Sequence, residues 1–217
     1  MTVWIIAGVP LGSVRRILDL GCGGGGTMSR LTALAPGAEI HGIDYSDDSV
    51  RVASQTVRDL LPPRRAYVCL GSVSALPYGG ARFDLALAVE SHYFWPDLPR
   101  DLVEIRRVLA ARGTLVIGGG VYAGGRRRAL NLRLARTGAM NCPSLPELAD
   151  ALARAGFVDV TLREDARRSW FSVLGVCPAE RGSACADSDA AAEALPGTRG
   201  VRAQEHPSGA ARPEAEP

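Results

Sequence analysis

The chain has 217 residues, 47% of them hydrophobic, which suits one domain with a sizeable core and excludes wholesale disorder. A formal net charge of only +2 gives no electrostatic reason to expect a nucleic-acid partner. All 25 basic residues are Arg, so Schiff-base and lysine general-base chemistry are excluded. With the abundance of Ala and Gly, this also points to a GC-rich bacterial genome.

An apolar run within residues 1–12 has no basic residue before it and is too short to cross a bilayer. Neither a signal peptide nor membrane insertion is expected. Arg16–Leu20 is a short apolar run ending at glycines, as a buried parallel strand would. A helix is predicted from about Gly26 to Leu34, stopped by Pro36-Gly37. Glu39–Asp44 forms a second strand. Ser46 then reads as an N-cap, with Asp47 and Asp48 favourable in the first helical turn. Val50, Ala53, Val57 and Leu60 give this helix one apolar stripe, and Pro62-Pro63 ends it.

Ala66–Leu70 and Phe83–Val89 are the third and fourth strands, the latter apolar enough to be buried on both faces. A helix over about Leu98 to Leu109 buries Leu98, Leu102, Ile105 and Leu109. Thr114–Ile117 is the fifth strand, opening into Gly118-Gly119-Gly120. Arg126-Arg127-Arg128 is a basic loop, either simply solvated or able to attract an acidic substrate. Ser144-Leu145-Pro146-Glu147 has capping-box spacing and introduces a helix that Gly156 closes. Strands near Phe157–Leu162 and Trp170–Val176 can pair antiparallel. The alternation predicts an α/β fold, a three-layer sandwich around a mostly parallel seven-stranded sheet with an antiparallel last strand. Residues 1–178 form this domain. From Ala179 to Pro217 the chain is aperiodic and holds no aromatic residue, and it is expected to be a disordered low-complexity tail.

Five cysteines (Cys22, Cys69, Cys142, Cys177 and Cys185) are scattered without a Cys-x-x-Cys pair, and His41, His92 and His206 show no ligand spacing. No metal is expected, and reduced thiols in a cytoplasm are the plain reading.

In open α/β sheets ligands bind beyond the carboxyl ends of the strands. Here the first strand ends in Asp19-Leu20-Gly21-Cys22-Gly23-Gly24-Gly25-Gly26. Glycines let the backbone turn sharply and approach a ligand, and the following helix offers free N–H groups. Gly21, Gly23 and Gly26 also satisfy G-x-G-x-x-G, and Asp44 ends the second strand where an acid can hold ribose hydroxyls. These features alone admit a nicotinamide-dependent oxidoreductase. Asp19 tells against it: a carboxylate there suits a ligand with an ammonium group, which a pyrophosphate lacks. A ligand carrying both an amino-acid part and a ribose would span Asp19 and Asp44, and S-adenosylmethionine has both.

The chain resembles a class I S-adenosylmethionine-dependent methyltransferase, of the broad group often called type 11, with a Rossmann-like fold. The resemblance rests on Ile17-Leu18-Asp19-Leu20-Gly21-Cys22-Gly23-Gly24-Gly25, His41-Gly42-Ile43-Asp44-Tyr45-Ser46, and Gly71 to Tyr78 with Phe83-Asp84-Leu85. Val108-Leu109 with Gly113-Thr114-Leu115 is similar to a further family segment, and Val89 to Leu98 marks a closer subgroup. The resemblance implies that Asp19 and the Gly21, Cys22 and Gly23 backbone hold the methionine part of S-adenosylmethionine. It implies that Asp44 holds the ribose and that Tyr45 packs beside the adenine. Ser72 stands where many relatives have Asp, so Ser72 or the Val73 N–H would serve the adenine. Glu90 to Tyr93 would lie over the sulfonium.

Methyl transfer to a small-molecule acceptor needs alignment in a dry pocket and, for an acidic acceptor, a base. His92 or Glu90 is the candidate base; the alternative is that His92 packs in an aromatic loop while Glu90 bonds backbone. Tyr93, Phe94, Trp95 and Tyr122 are candidate acceptor-pocket residues, or packing for the next helix. Relatives carry more helical sequence before the first strand, and Trp4 reads as a remnant of it. The site is then open, covered by a partner subunit as in a homodimer, or inactive through truncation, which leaves a non-catalytic S-adenosylmethionine-binding protein as a third reading.

Overall fold

The computed structural model describes residues 1–60, 65–138 and 140–179. The expected Pro62-Pro63 helix stop, and the expected disordered tail beyond Ala179, lie outside the described residues. Seven strands form one sheet: β1 (Arg16–Leu20), β2 (Glu39–Asp44), β3 (Ala66–Leu70), β4 (Phe83–Val89), β5 (Leu109–Gly119), β6 (Val158–Asp165) and β7 (Trp170–Val176). Their order is β3-β2-β1-β4-β5-β7-β6. The first five run parallel, and β7 enters antiparallel between β5 and β6. Strand order reverses between β1 and β4, so a crevice opens at the carboxyl ends of that pair.

Side chains alternate between two cores, as the two-residue strand period requires. On one face Leu18, Leu20, Leu115 and Ile117 pack with Leu102 and Ile105 of α4 (Leu98–Val108) and Leu148 and Leu152 of α6 (Leu145–Arg154). On the other, Ile17, Leu85, Leu87 and Val116 pack with Met28 and Leu31 of α2 (Gly26–Leu34) and Ala53 and Val57 of α3 (Asp47–Leu60). Both faces are covered, which is why the central strands are almost wholly apolar.

The capping box forms as its spacing dictates. The Ser144 side chain accepts from the Glu147 amide, and the Glu147 carboxylate accepts from the Ser144 amide at 2.8 Å. Gly156 adopts φ +88° just past the helix.

Three elements differ from expectation. β5 begins at Leu109, directly after α4, and its pairing with β4 shifts register between Phe83↔Leu109 and Leu85↔Thr114. Arg112 takes φ +61° inside that irregularity. A short helix α1 (Thr2–Ile5) occupies the N-terminal apolar run. The Arg cluster expected as a loop instead leads into an 11-residue helix, α5 (Arg128–Gly138).

Candidate functional site

The loop after β1 is held by main-chain bonds. The amides of Gly21 and Cys22 both donate to the Ile43 carbonyl, at 2.8 and 3.0 Å, tying the turn to the end of β2. Gly21 has φ +73°, and a Cβ there would lie 2.6 Å from the Ser91 Cβ. Only glycine meets both demands. The Ser91 hydroxyl in turn donates to the Leu20 carbonyl at 2.6 Å, fastening the β4 exit to the β1 exit across the switch point. Sequence reasoning missed Ser91, whose one signal was its place just after the fourth strand.

Asp44 and Asp19 occupy the ends of adjacent strands, as expected, but in unlike settings. One Asp44 oxygen accepts from the Gly23 amide at 2.8 Å and the other from the Ser46 amide at 3.0 Å. Those bonds pin the glycine loop and the entry to α3 to one carboxylate. Asp19 is 1% exposed, and its Oδ2 has no hydrogen-bond partner. Burial first, and then the Asp44 charge, push its carboxyl up from 3.8 to about 7. An unpartnered, buried carboxylate beside a second carboxylate is a site short of positive charge.

Beside these groups is a cavity of about 770 Å³ lined by Gly21, Gly23, Asp44, Tyr45, Ser72, Val73, Glu90 and Trp95, with Phe94 at its edge. Its size is that of a small-molecule or cofactor site. Tyr45 stands 72% exposed at this wall, so its ring is free to cover a flat ligand group. Asp19 and Cys22 are not on the wall; they lie behind the loop. The buried Cys22 thiol is pushed up, mainly by burial and then by Asp19 and Asp44, so it is not a reactive thiolate.

Glu90 is the one carboxylate brought to the β4 side of the cavity. It adopts φ +56°, a left-handed conformation uncommon for a non-glycine residue. Its carboxylate accepts from the Gly120 amide at 2.8 Å and from the Tyr93 hydroxyl at 3.2 Å. Burial raises the Glu90 carboxyl, while those two bonds oppose the shift.

His92 is not brought to the cavity. It is buried with both ring nitrogens unpartnered, its ring edge-on to Phe171 and Tyr93. Burial drives its pKa down to about 3, so the ring is neutral at physiological pH. Tyr93 is likewise buried, and Tyr122 lies in the core with its hydroxyl donating to Glu164 at 2.7 Å. Of the expected aromatic wall, Phe94 and Trp95 reach the cavity. None of residues 1–14 lines it. Ile5 is instead held on the sheet by Ser172, and Trp4 stacks under the Arg163 guanidinium with its carbonyl bonded there.

Among the described residues no cluster of His, Cys, Asp and Glu could hold a metal, and no helix is long and apolar enough to cross a membrane.

A doubly wound sheet with a glycine loop, paired strand-end acids and a cavity at the switch point defines an α/β domain with a small-molecule-sized site at the carboxyl edge of its sheet. Comparison with known proteins narrows the class. The methyltransferase-domain family model matches residues 17–113. The phthiotriol/phenolphthiotriol dimycocerosates methyltransferase of Mycobacterium leprae is 32% identical over 103 residues, 48% of this chain and 37% of that protein. The methyltransferase GfsG of Streptomyces halstedii is 32% identical over 124 residues, 57% of this chain and 44% of that protein. The chain thus spans less than half the length of these relatives. In fold it matches a methyltransferase complexed with the Trm112 activator of Haloferax volcanii, with TM-score 0.70, 20% identity, and 82% and 89% of the two chains covered. Over residues 17–113 the chain is thus similar to the methyltransferase-domain family, and its structural neighbours include S-adenosylmethionine-dependent methyltransferases. S-adenosylmethionine is the cofactor of that class.

Proposed function

We infer that the protein transfers the methyl group of S-adenosylmethionine to a small-molecule acceptor. The observation that carries this reading is the pair of strand-end carboxylates, one unpartnered and buried, at a switch-point cavity whose loop only glycine can form. The residues fit the cofactor. Asp19 supplies negative charge behind the loop for an ammonium group, and the backbone of Gly21, Cys22 and Gly23 holds the amino-acid part. Asp44 keeps free lone pairs for ribose hydroxyls, Tyr45 covers the adenine, and Ser72 and the Val73 amide meet its edge.

When bound, S-adenosylmethionine supplies a methyl carbon on a sulfonium: the acceptor–carbon bond forms as the carbon–sulfur bond breaks, leaving S-adenosylhomocysteine. The protein's part is to align and to exclude water. Glu90, held by Gly120 and Tyr93 at the cavity wall, faces the positive centre and takes the acceptor's proton where the acceptor has one to lose. His92 is left with a packing role, since a neutral ring with a pKa of about 3, sealed among aromatics, is a poor base. Trp95 lines the acceptor side; Tyr93 and Tyr122 shape it from behind.

A small-molecule acceptor is supported by the Mycobacterium leprae relative, named for phthiotriol and phenolphthiotriol dimycocerosates. Unpaired thiols at Cys22, Cys69 and Cys142 suit a cytoplasmic setting. The nicotinamide reading leaves Asp19 unexplained, and neither relative described above carries that chemistry in its name.

Calorimetric titration with S-adenosylmethionine and with NAD tests the cofactor, and transfer of labelled methyl into a small-molecule extract tests the reaction. The expected result is binding of the first ligand, weakened at least tenfold in Asp44→Ala, and label in a small product. Tight NAD binding with no response to S-adenosylmethionine would overturn the proposal.

A further inference from the structure

Helix α5 is stitched to the carboxyl edge of the sheet by asparagines. The Asn131 side-chain amide donates to the carbonyls of Gly120 and Tyr122, at 3.2 and 3.1 Å. Just after the helix, the Asn141 backbone and side chain donate to the carbonyls of Tyr93 and Trp95, both at 2.7 Å, on either side of Phe94. The helix and the segment after it thus both reach the carboxyl edge of the sheet, where Phe94, 50% exposed, lines the cavity.

Its composition is unusual for a solvated helix. Leu130 and Leu134, one turn apart, are 51% and 42% exposed. Around them Arg126, Arg127, Arg128, Arg133 and Arg136 are all exposed, and none forms an ion pair among the described residues. No Asp or Glu occurs in sequence between Glu104 and Glu147. The acids folded nearby are already engaged: Glu164 by the Tyr122 hydroxyl and Glu90 by Tyr93 and Gly120. Guanidinium groups spread along 11 residues and their leading turn make a surface rather than a pocket.

We propose that α5 is a docking face for an anionic lipid bilayer. Leucines alternating with arginines on a short exposed helix match a segment lying in the headgroup region: the aliphatic side chains enter the acyl boundary while the guanidinium groups remain among lipid phosphates. A nucleic acid would use the arginines but leave the leucine stripe in water. A zwitterionic surface would leave the unpaired charge without a partner. The docking does not depend on the methyltransferase reading, and it places the cavity mouth at the membrane surface.

The test is flotation of the full chain with phosphatidylglycerol/phosphatidylcholine vesicles and with phosphatidylcholine alone. Expected is binding to the anionic vesicles only, falling with salt, because charges near such a surface are screened within about 10 Å at 0.1 M ionic strength. Arg133→Gln with Arg136→Gln should weaken partitioning by about fivefold per arginine. Leu130→Ser with Leu134→Ser should weaken it about tenfold for the pair. Both double variants change exposed side chains only, and unaltered thermal unfolding verifies their fold. No binding to anionic vesicles at low salt would overturn the proposal. So would binding that survives the arginine changes, or binding that the leucine changes leave untouched.

Discussion

Replacing Asp19 with Asn tests the electrostatics beneath the glycine loop most directly. In the unfolded chain this carboxyl ionises near 3.8; in the folded protein it holds its proton to about 7. Between those values the native state binds a proton that the unfolded state does not, so stability falls as pH rises through the window and levels off above about 7. At 1.36 kcal/mol per pH unit, the ionised carboxylate costs the ligand-free fold at most about 4 kcal/mol at pH 8. Asn keeps the shape without the charge. Asp19→Asn should therefore melt up to about 8–16 °C above the parent at pH 8, for a chain of this size, and close to it at pH 4.

The same change should weaken S-adenosylmethionine binding, because the proposed ammonium partner gains its attraction from the ionised form. In the parent, binding near pH 7 should release a fraction of a proton, visible as a dependence of the calorimetric heat on buffer ionisation enthalpy. Asp19→Asn should abolish that dependence. Identical melting profiles of parent and variant from pH 4 to 8 would refute the reasoning. Unchanged ligand affinity in the variant would refute the second half alone.

Other substitutions probe the remaining links. Gly21→Ala forces a Cβ against Ser91 at φ +73° and should cost about 3 kcal/mol, measured by urea unfolding. Adding Ser91→Gly should recover part of that loss, and full additivity of the two changes would show that the contact is not the cause. His92→Phe removes two unpartnered nitrogens. Since His92 titrates at 6.5 when unfolded but about 3 when folded, the parent loses stability as pH falls below 6.5. The variant should gain about 2 kcal/mol over the parent at pH 5, with the pH profile of turnover unchanged; loss of the acidic limb of that profile in a folded variant would restore His92 as the base. Ser144→Ala breaks the capping box and should lower stability by about 1 kcal/mol in the same unfolding assay.

Much of this was legible because it is local. The runs Arg16–Leu20, Glu39–Asp44, Ala66–Leu70 and Phe83–Val89 are short, rich in apolar residues and set apart by turn and loop residues, and each is a strand over those bounds. The spacing of Ser144 and Glu147 states its own cap. What escaped depends on partners distant in sequence. Nothing in Ala110-Ala111-Arg112 announces a strand; its first residues are drawn into the sheet by Phe83, and the register slips before Thr114. The insertion of β7 between β5 and β6 is likewise a property of pairing. Helix α5 was hidden because its buried face is narrow: Asn131 is buried and Leu132 and Ala135 half-buried, while the conspicuous residues are the exposed arginines.

The site divides along the same line. The glycine loop and both aspartates could be read from order alone, but their inequality could not. Asp44 is satisfied because Gly23 and Ser46 present amides to it, whereas Asp19 is buried with an unpartnered oxygen and a like charge nearby. Two residues of the same type, at the ends of adjacent strands, thus stand in opposite settings: one is bonded by two amides at the cavity wall, the other is buried with an unpartnered oxygen. Glu90 and His92, two positions apart, separate in the same way. The strained turn that carries Glu90 to the cavity wall sends His92 into the aromatic core, so only Glu90 of the two candidate bases lines the cavity.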